Sequence, residues 1–383
     1  MAIKLNSFAK EKIRNAFLVP DYYKHFSCKG GECRDSCCAD WKVTIPMDQY
    51  FLLHGLSCNK NVKEKIDRTF RPLFNTTPER YAEIVHTQDG DCPLHKKDGY
   101  CLLHETCGEE VLPWVCRYYP RGPRIDYAFE ASCANSCEKT LELLFENDEI
   151  LKFETINLSF LMKKTQKEIS IIQKHIYIKV RDNCFKLLSD RKYSLALRIL
   201  HLGIYLKSLE SNIEIKITDL DFSLVQETKD VNSTYLKLFE IFSNFNGRFP
   251  RLVNLLEEVK MIYENHDIEE VYQNNLQHFE DIFTNNEIMF EKMLINDLFF
   301  KQFPFQSNLS FFDQFISICG SFMLLRYLSI NLMWNKSFQE DLIDILSRTF
   351  TVISHSEFDR QLLNYLEKAG LNNMFELSKI LFI

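Results

Sequence analysis

The sequence predicts a mainly α protein in which an irregular, cysteine-rich N-terminal region, residues 1–140, packs on an all-helical C-terminal domain, residues 141–383. Three observations predict it. Eleven of the thirteen cysteines lie between Cys28 and Cys137, with only Cys184 and Cys319 beyond. Eight of the ten prolines and seven of the eleven glycines fall in the first 123 residues, so that region is rich in turns. After residue 140 long Leu/Ile/Phe/Lys/Glu stretches take over, with apolar residues about one helical turn apart.

In the C-terminal part, Leu197, Leu200, Ile204 and Leu206 mark one amphipathic helix within Ser194–Leu209. Similar patterns run over Leu252–Asn265, Leu276–Phe290, Gln339–Phe350 and Asp359–Lys368. A helix after Cys137, with Leu141, Leu144 and Phe145 on one side, is expected to join the two parts directly. No internal repeat, low-complexity tract or flexible linker is visible. Phe311 to Trp334 is apolar enough to resemble a membrane span, but it carries Asp313, Gln314 and Arg326 and reads as a buried core helix.

Composition excludes several classes. The formal net charge is −7, and no basic domain or arm exists, so nucleic acid is not the expected partner. Met1 to Pro20 scatters Lys4, Lys10, Glu11, Lys12 and Arg14 among its apolar residues and has no apolar signal core. The expected location is therefore the cytoplasm. A disulfide scaffold would bring a secretory signal and a small domain, and neither is seen. In a reducing compartment such a crowd of thiols points to metal ligation.

The cysteines form three clusters. The first is Cys28, Cys33, Cys37 and Cys38 within FSCKGGECRDSCCADW, where Gly30 and Gly31 permit a tight turn. The second runs from Cys92 through Cys101 to Cys116, and the third is Cys133 with Cys137. Structural zinc sites commonly use pairs separated by two to four residues. A pair separated by two is absent, although Cys92, His95, Cys101 and His104 could form a Cys2His2 zinc site. Iron–sulfur clusters collect four thiolates from irregular loops, and this many cysteines could hold one or two. Zinc thus stands as the alternative metal, and unligated structural thiols as a third reading. Cys184 and Cys319 sit in apolar helical context as small core residues. The cysteine triplet of radical enzymes is missing, since Asp occupies position 40. No nucleotide-binding glycine motif or P-loop occurs.

The segments FSCKGGECRDSCCADWKVTI, DCPLHKKDGYCLLHETCGEEVLPWVCRYYPR and EASCANSCEKTLELL, in that order, resemble the flagellin lysine-N-methylase family, which is related to cysteine-cluster zinc- or iron-chelating proteins. NDLFFKQFPFQSNLSFFDQF and the helix containing Arg326 look like that family's C-terminal region. The resemblance implies metal ligands at Cys28, Cys33, Cys37, Cys38, Cys92, Cys101, Cys116 and Cys137, leaving Cys58, Cys107 and Cys133 as extras. His95 and His104 fall outside the shared pattern. It further implies an iron–sulfur cluster, expected as 4Fe–4S, and methylation of the ε-amine of flagellin lysines from S-adenosylmethionine.

Such transfer needs a neutral amine, and on the order of one lysine in a thousand is neutral at pH 7. The site must desolvate the lysine or supply a base, and must hold a cationic sulfonium against aromatic faces or carboxylates. Beside Cys116 the chain offers Tyr118, Tyr119, Arg121 and Glu130, and Asp40 and Trp41 follow Cys38. Glu130, Tyr118 and Tyr119 are the candidate catalytic groups. Arg121, with Asp40 and Trp41, is expected to bind the methyl donor. The competing expectation is that the aromatics pack the metal's shell and that Arg121 and Glu130 form a structural ion pair.

Overall fold

The computed structural model describes residues 11–39, 42–162, 168–210, 231–243 and 249–382. The chain opens with strand β1 (Glu11–Pro20), then a short β2 (Thr44–Ile45), helices α1 (Met47–His54) and α2 (Lys60–Thr69), and strands β3 (Phe70–Pro72) and β4 (Ala82–Ile84). Short helices α3 (Leu102–Cys107) and α4 (Trp114–Tyr118) lead into β5 (Arg121–Arg124) and β6 (Glu130–Cys133). Helix α5 (Glu138–Leu144) and strand β7 (Phe153–Met162) follow. The remainder is helical: α6 (Ile171–Leu188), α7 (Leu195–Glu210), α8 (Val231–Ser243), α9 (Pro250–Tyr263), α10 (Ile268–Ile282), α11 (Asn286–Phe300), α12 (Phe311–Leu332), α13 (Gln339–His355), α14 (Phe358–Lys368) and α15 (Met374–Ile380). The mainly α class expected from the sequence is what the molecule adopts.

Helix starts follow local chemistry. Ser170 and Gln173 form a reciprocal capping box at α6. Asp267, Ser310 and Asn373 each cap a later helix by accepting from a backbone amide of its first turn. Pro250 occupies the first turn of α9, where its missing N–H costs nothing. The expected helix over Leu276–Phe290 is instead interrupted between α10 and α11, where the Asn286 side-chain amide donates to the carbonyl of Phe283. Helix α12 is the central column of the C-terminal part, buried from Gln314 to Leu332 apart from Ile318. It is the one described helix long and apolar enough to cross a membrane, and 89% of its most apolar window is buried inside the protein.

Two sheets accompany the helices. A four-stranded sheet has the order β5–β6–β1–β7, with β1 parallel to β6 and antiparallel to β7. The ladder of β1 and β7 runs unbroken from Glu11 opposite Met162 to Pro20 opposite Phe153. Sequence reading missed both long strands. In β7, Thr155, Asn157 and Ser159 alternate with Ile156, Leu158 and Phe160, which is strand periodicity inside a stretch taken as helical. A small sheet, β2–β4–β3, covers α2.

The apolar interior falls into two parts. One joins Phe17, Val19, Tyr22, Ala131 and Cys133 with Leu141, Leu144 and the C-terminal helices. Segments on both sides of residue 140 therefore share a core. The other is small, built around Val43, Ile45, Leu53, Ile66, Phe70 and Leu103. The candidate thiols lie where the two meet.

Candidate metal centre and adjoining cleft

Three anchors bring the cysteine segments together. Cys28 and Cys33 flank a tight turn in which Gly30 has φ +60°. That turn lies backbone to backbone against the loop before Cys101: a Cβ on Gly31 would stand 2.1 Å from the Asp98 carbonyl oxygen, and one on Gly99 would stand 2.4 Å from the Gly31 Cα. No side chain fits between them. The same turn is tied to the start of α5 by Lys29, whose Nζ lies 2.5 Å from Glu138 and 2.8 Å from Glu142. The Arg34 amide donates to Glu138 at 3.1 Å. Cys37 and Cys38 are held toward the second cluster, because the Cys92 amide donates to the Cys38 carbonyl at 2.8 Å. Asp35 pairs with Arg251 of α9 at 2.6 Å, which fastens this loop to the helical part.

The third cluster is locked from behind. Asn296 of α11 donates to the Cys133 carbonyl at 2.9 Å and to Asn135 at 2.6 Å, and accepts from Tyr22 at 2.7 Å. Asn135 in turn donates to the Met293 carbonyl. All these groups are buried and satisfied, so the Cys133–Cys137 segment has one position.

Seven thiols, those of Cys28, Cys33, Cys37, Cys38, Cys92, Cys101 and Cys116, border a cavity of about 180 Å³. Their mutual electrostatics show which are neighbours. Cys38 raises the pKa of Cys92, Cys101 and Cys116, and Cys92 and Cys101 raise that of Cys116, so these four thiols of the cavity wall interact with one another. Cys28, Cys33 and Cys137 form a second such set. Cys37 lies between the sets: the hydrogen bond to Cys38, burial, and the Cys116 and Cys137 thiols push its own thiol up. The hydrogen bond from Cys37 holds the Cys38 thiol well below its ordinary pKa, with the His95 ring and Ser36 adding to the effect. Burial pushes Cys92 and Cys33 up to about 12, the carboxylate of Glu138 adding to the latter. Cys58 and Cys107 pair with each other outside the cavity. Cys184 and Cys319 are fully buried core residues, as expected.

The donor set can be tested against each metal. Among the described residues no three Cys, His, Asp or Glu side chains converge on one ion. Of the histidines in the Cys2His2 quartet, His95 is engaged by Asp91 at 3.2 Å and Ser36 at 3.3 Å, and His104 is exposed at the edge of the same cavity. A polynuclear cluster makes a different demand: its thiolates surround a space, each meeting a different metal atom. Cys38, Cys92, Cys101 and Cys116 border one cavity, and four thiolates are a donor set that either a cluster or a zinc ion accepts.

Of the candidate catalytic and donor-binding groups among the described residues, Tyr119 alone borders this cavity. Its hydroxyl lies 3.0 Å from Ser136 Oγ, which is 2.8 Å from His355 Nε2. Tyr118 does otherwise. Its hydroxyl accepts from the Leu161 amide at 2.8 Å and donates to the Leu161 carbonyl at 3.1 Å, clamping α4 to the edge of β7. Glu130 is buried and fully engaged: it pairs with Arg181 and accepts from Tyr177 at 2.6 Å and Gln302 at 2.8 Å. An ion pair at Glu130 was one expectation, but its partner is Arg181 rather than Arg121. Glu130 also lies three strand positions from Cys133, about 10 Å along β6. Arg121 stacks over Phe26 at 5.2 Å and lies opposite Cys133 in the ladder. Asp40 and Trp41 lie outside the described residues.

Sequence reading missed Ser136 and His355. Ser136 sits between two singled-out cysteines, but nothing local marks His355, which arrives from α13. Its neighbours Ser354 and Ser356 line a second and larger cavity, about 500 Å³, between β5 and helices α11 to α14. A hydrogen-bonded line from Tyr119 through Ser136 to His355 thus runs from the first cavity to the end of α13, whose Ser354 borders the second.

A cysteine-lined cavity set on a helical domain is the architecture in hand, and comparison with known proteins gives it a family. Residues 181–380 match the family described as FliB lysine N-methylase C-terminal domain, and the chain belongs to that family. It is 30% identical over 103 residues to the lysine-N-methylase of Salmonella choleraesuis (strain SC-B67), covering 27% of this chain and 25% of that protein. The lysine-N-methylase of Salmonella typhimurium is 29% identical over the same length, with 25% of it covered. The flagellar biosynthetic protein FliU of Salmonella muenchen is 29% identical over 103 residues, with 60% of it covered. The aligned stretch thus spans about a quarter of each methylase. No solved structure matches.

Proposed function

We propose that this chain transfers methyl groups from S-adenosylmethionine to the ε-amines of flagellin lysines in the cytoplasm, and that it carries an iron–sulfur cluster. The observation that carries the proposal is the match of residues 181–380, more than half of the 383-residue chain, to a lysine N-methylase domain. Flagellin as substrate is supported by the flagellar name of one relative. The cluster is supported by Cys38, Cys92, Cys101 and Cys116 bordering one cavity and interacting with one another. Four thiolates are the complement of a 4Fe–4S centre.

S-adenosylmethionine supplies a methyl group on a cationic sulfur, which departs as a neutral thioether when the amine nitrogen takes the methyl. The chain's own task is to present a lysine without its proton and to keep water away. Cys38, Cys92, Cys101 and Cys116 would join three segments that otherwise rest on the small core, so metal binding there contributes folding free energy. Tyr119 links that cavity through Ser136 to His355, whose neighbours Ser354 and Ser356 line the larger one.

The test is co-expression with the cognate flagellin, followed by intact mass. Steps of about 14 Da per methyl are expected only when this chain is present. Identical flagellin masses with and without it would refute the proposal. Anaerobic purification should give brown protein absorbing broadly at roughly 400 nm, whereas a colourless protein with stoichiometric zinc would refute the cluster.

A further inference from the structure

The larger cavity, about 500 Å³, is of a size that takes a nucleoside-sized ligand. Its floor is apolar, with Leu294, Leu298, Leu325, Phe350 and Ile353. Its charged groups are Arg124, Asp126, Asp297, Lys301 and Asp359. Three carboxylates face two cations, an excess of one negative charge. Asp297 and Lys301 satisfy each other at 2.7 Å. Among the described residues, Asp126 accepts a hydrogen bond from the neutral amide of Gln306, at 2.9 Å, and Asp359 from the hydroxyl of Ser317, at 3.0 Å.

Arg124 is the unusual member. Its guanidinium stacks on Phe300 at 5.0 Å, and among the described residues it has no carboxylate or carbonyl acceptor. Gly122 makes that stack possible, since a Cβ there would stand 2.3 Å from the Phe300 ring. Strand alternation decides the direction: Gly122 and Arg124 share the face turned to α11, whereas Arg121 points to the other face. Ser354 Oγ, also buried without a partner among the described residues, lies in the same wall. Asp126 acts on Arg124 and Asp359 on Lys301 through space, but neither pair is closed by a hydrogen bond, so the guanidinium keeps donors for a carboxylate and the two carboxylates keep oxygens for positive charge.

We infer that this cleft is where the methyl donor binds: Arg124 takes the carboxylate of its amino-acid end, Asp126 and Asp359 face its ammonium and sulfonium charges, and the apolar floor takes the nucleoside. S-adenosylmethionine carries two positive charges and one negative, which complements the cleft's excess of one negative charge. The inference rests on the methyltransferase proposal and replaces Arg121 with Arg124 as the carboxylate partner. It also puts the donor against the end of α13, whose His355 is hydrogen-bonded through Ser136 to Tyr119 at the thiol cavity.

Calorimetric binding to the metal-loaded protein tests it. The probes are sinefungin, which has an amine where the donor has its sulfonium, and S-adenosylhomocysteine, which lacks that charge. Arg124→Met should weaken both at least about tenfold, and Arg121→Met should change neither. Asp126→Asn and Asp359→Asn should weaken sinefungin more than S-adenosylhomocysteine. On the unaltered protein, 5′-methylthioadenosine, which lacks the amino-acid end, should bind at least about tenfold more weakly than S-adenosylhomocysteine; this arm needs no variant to fold. If unaltered protein binds the probes and Arg124→Met, folded by circular dichroism, binds them equally well, the cleft assignment is overturned and the methyltransferase proposal stands. Equal binding of 5′-methylthioadenosine also overturns it. If unaltered protein binds neither probe, both fall.

Discussion

Glu130→Gln removes one charge from a buried polar cluster and leaves its partners in place. Glu130 is 1% exposed and Arg181 8% exposed. Separating one member of a buried ion pair costs about 3–5 kcal/mol, because the remaining charge loses its compensation. Arg181 keeps a second carboxylate, Asp182 at 2.7 Å, but that group is 59% exposed and well solvated. The lower end applies, about 3 kcal/mol. The new amide also turns a donor toward Gln302 or Arg181, both donors themselves. At about 2 °C per kcal/mol for a large domain, the melting temperature should fall by about 6 °C. Tyr177→Phe, which deletes one hydrogen bond to the same carboxylate, should cost about 1 kcal/mol. Circular dichroism melts give the first readout, and flagellin methylation well below the melt gives the second. The expected result is lowered stability with methylation retained. An unchanged melting temperature with methylation abolished would refute the structural role and make Glu130 a group that acts on substrate.

Gly31→Ala and Gly99→Ala should each separate the Cys28–Cys33 turn from the Cys101 loop, because backbone atoms already stand within 2.4 Å of the added carbons. Both should lower metal content as measured by iron and sulfide assay, and a full complement in either would contradict the packing. Cys58→Ser and Cys107→Ser should leave metal content unchanged, while Cys38→Ser or Cys92→Ser should lower it. Burial, and secondarily the charge of Lys301, pulls His355 from 6.5 to about 4. The unfolded chain therefore binds an extra proton between those values. The stability held by neutral His355 is complete above 6.5 and is lost as pH falls toward 4. With its partial exposure discounted, the loss is about 2 kcal/mol. Urea titrations from pH 7 to 4 should show this slope, and His355→Gln should flatten it.

Much of the architecture was legible because its signals are local. The helical half announced itself through spacing such as Leu197, Leu200 and Ile204, and through the loss of Pro and Gly after residue 123. Cys184 and Cys319 were legible as core residues for the same reason. Strands β1 and β7 were not, since their pairing joins residues more than a hundred positions apart and β7 borders helical sequence. The thiol cavity was legible as a crowd of cysteines, but its grouping was not. Cys37 and Cys38 are adjacent in sequence, yet Cys38 joins Cys92, Cys101 and Cys116 while Cys37 reaches toward Cys137. The cleft was invisible from sequence: Arg124, Asp297 and Asp359 come from separate elements and share no motif. Proximity to Cys116 was also a poor guide to chemistry. Tyr118 and Tyr119 are neighbours in the chain, but one clamps a strand edge and the other borders the cavity.

The most direct test of lysine methyl transfer is to incubate the purified, metal-loaded protein with flagellin and S-adenosylmethionine labelled with a trideuterated methyl group, then map the modified lysines by peptide mass. Lysine peptides heavier by about 17 Da per transferred group are the expected result. Flagellin that stays unlabelled while the protein binds sinefungin would contradict flagellin as the substrate, and unlabelled flagellin with no sinefungin binding would contradict methyl transfer from this donor.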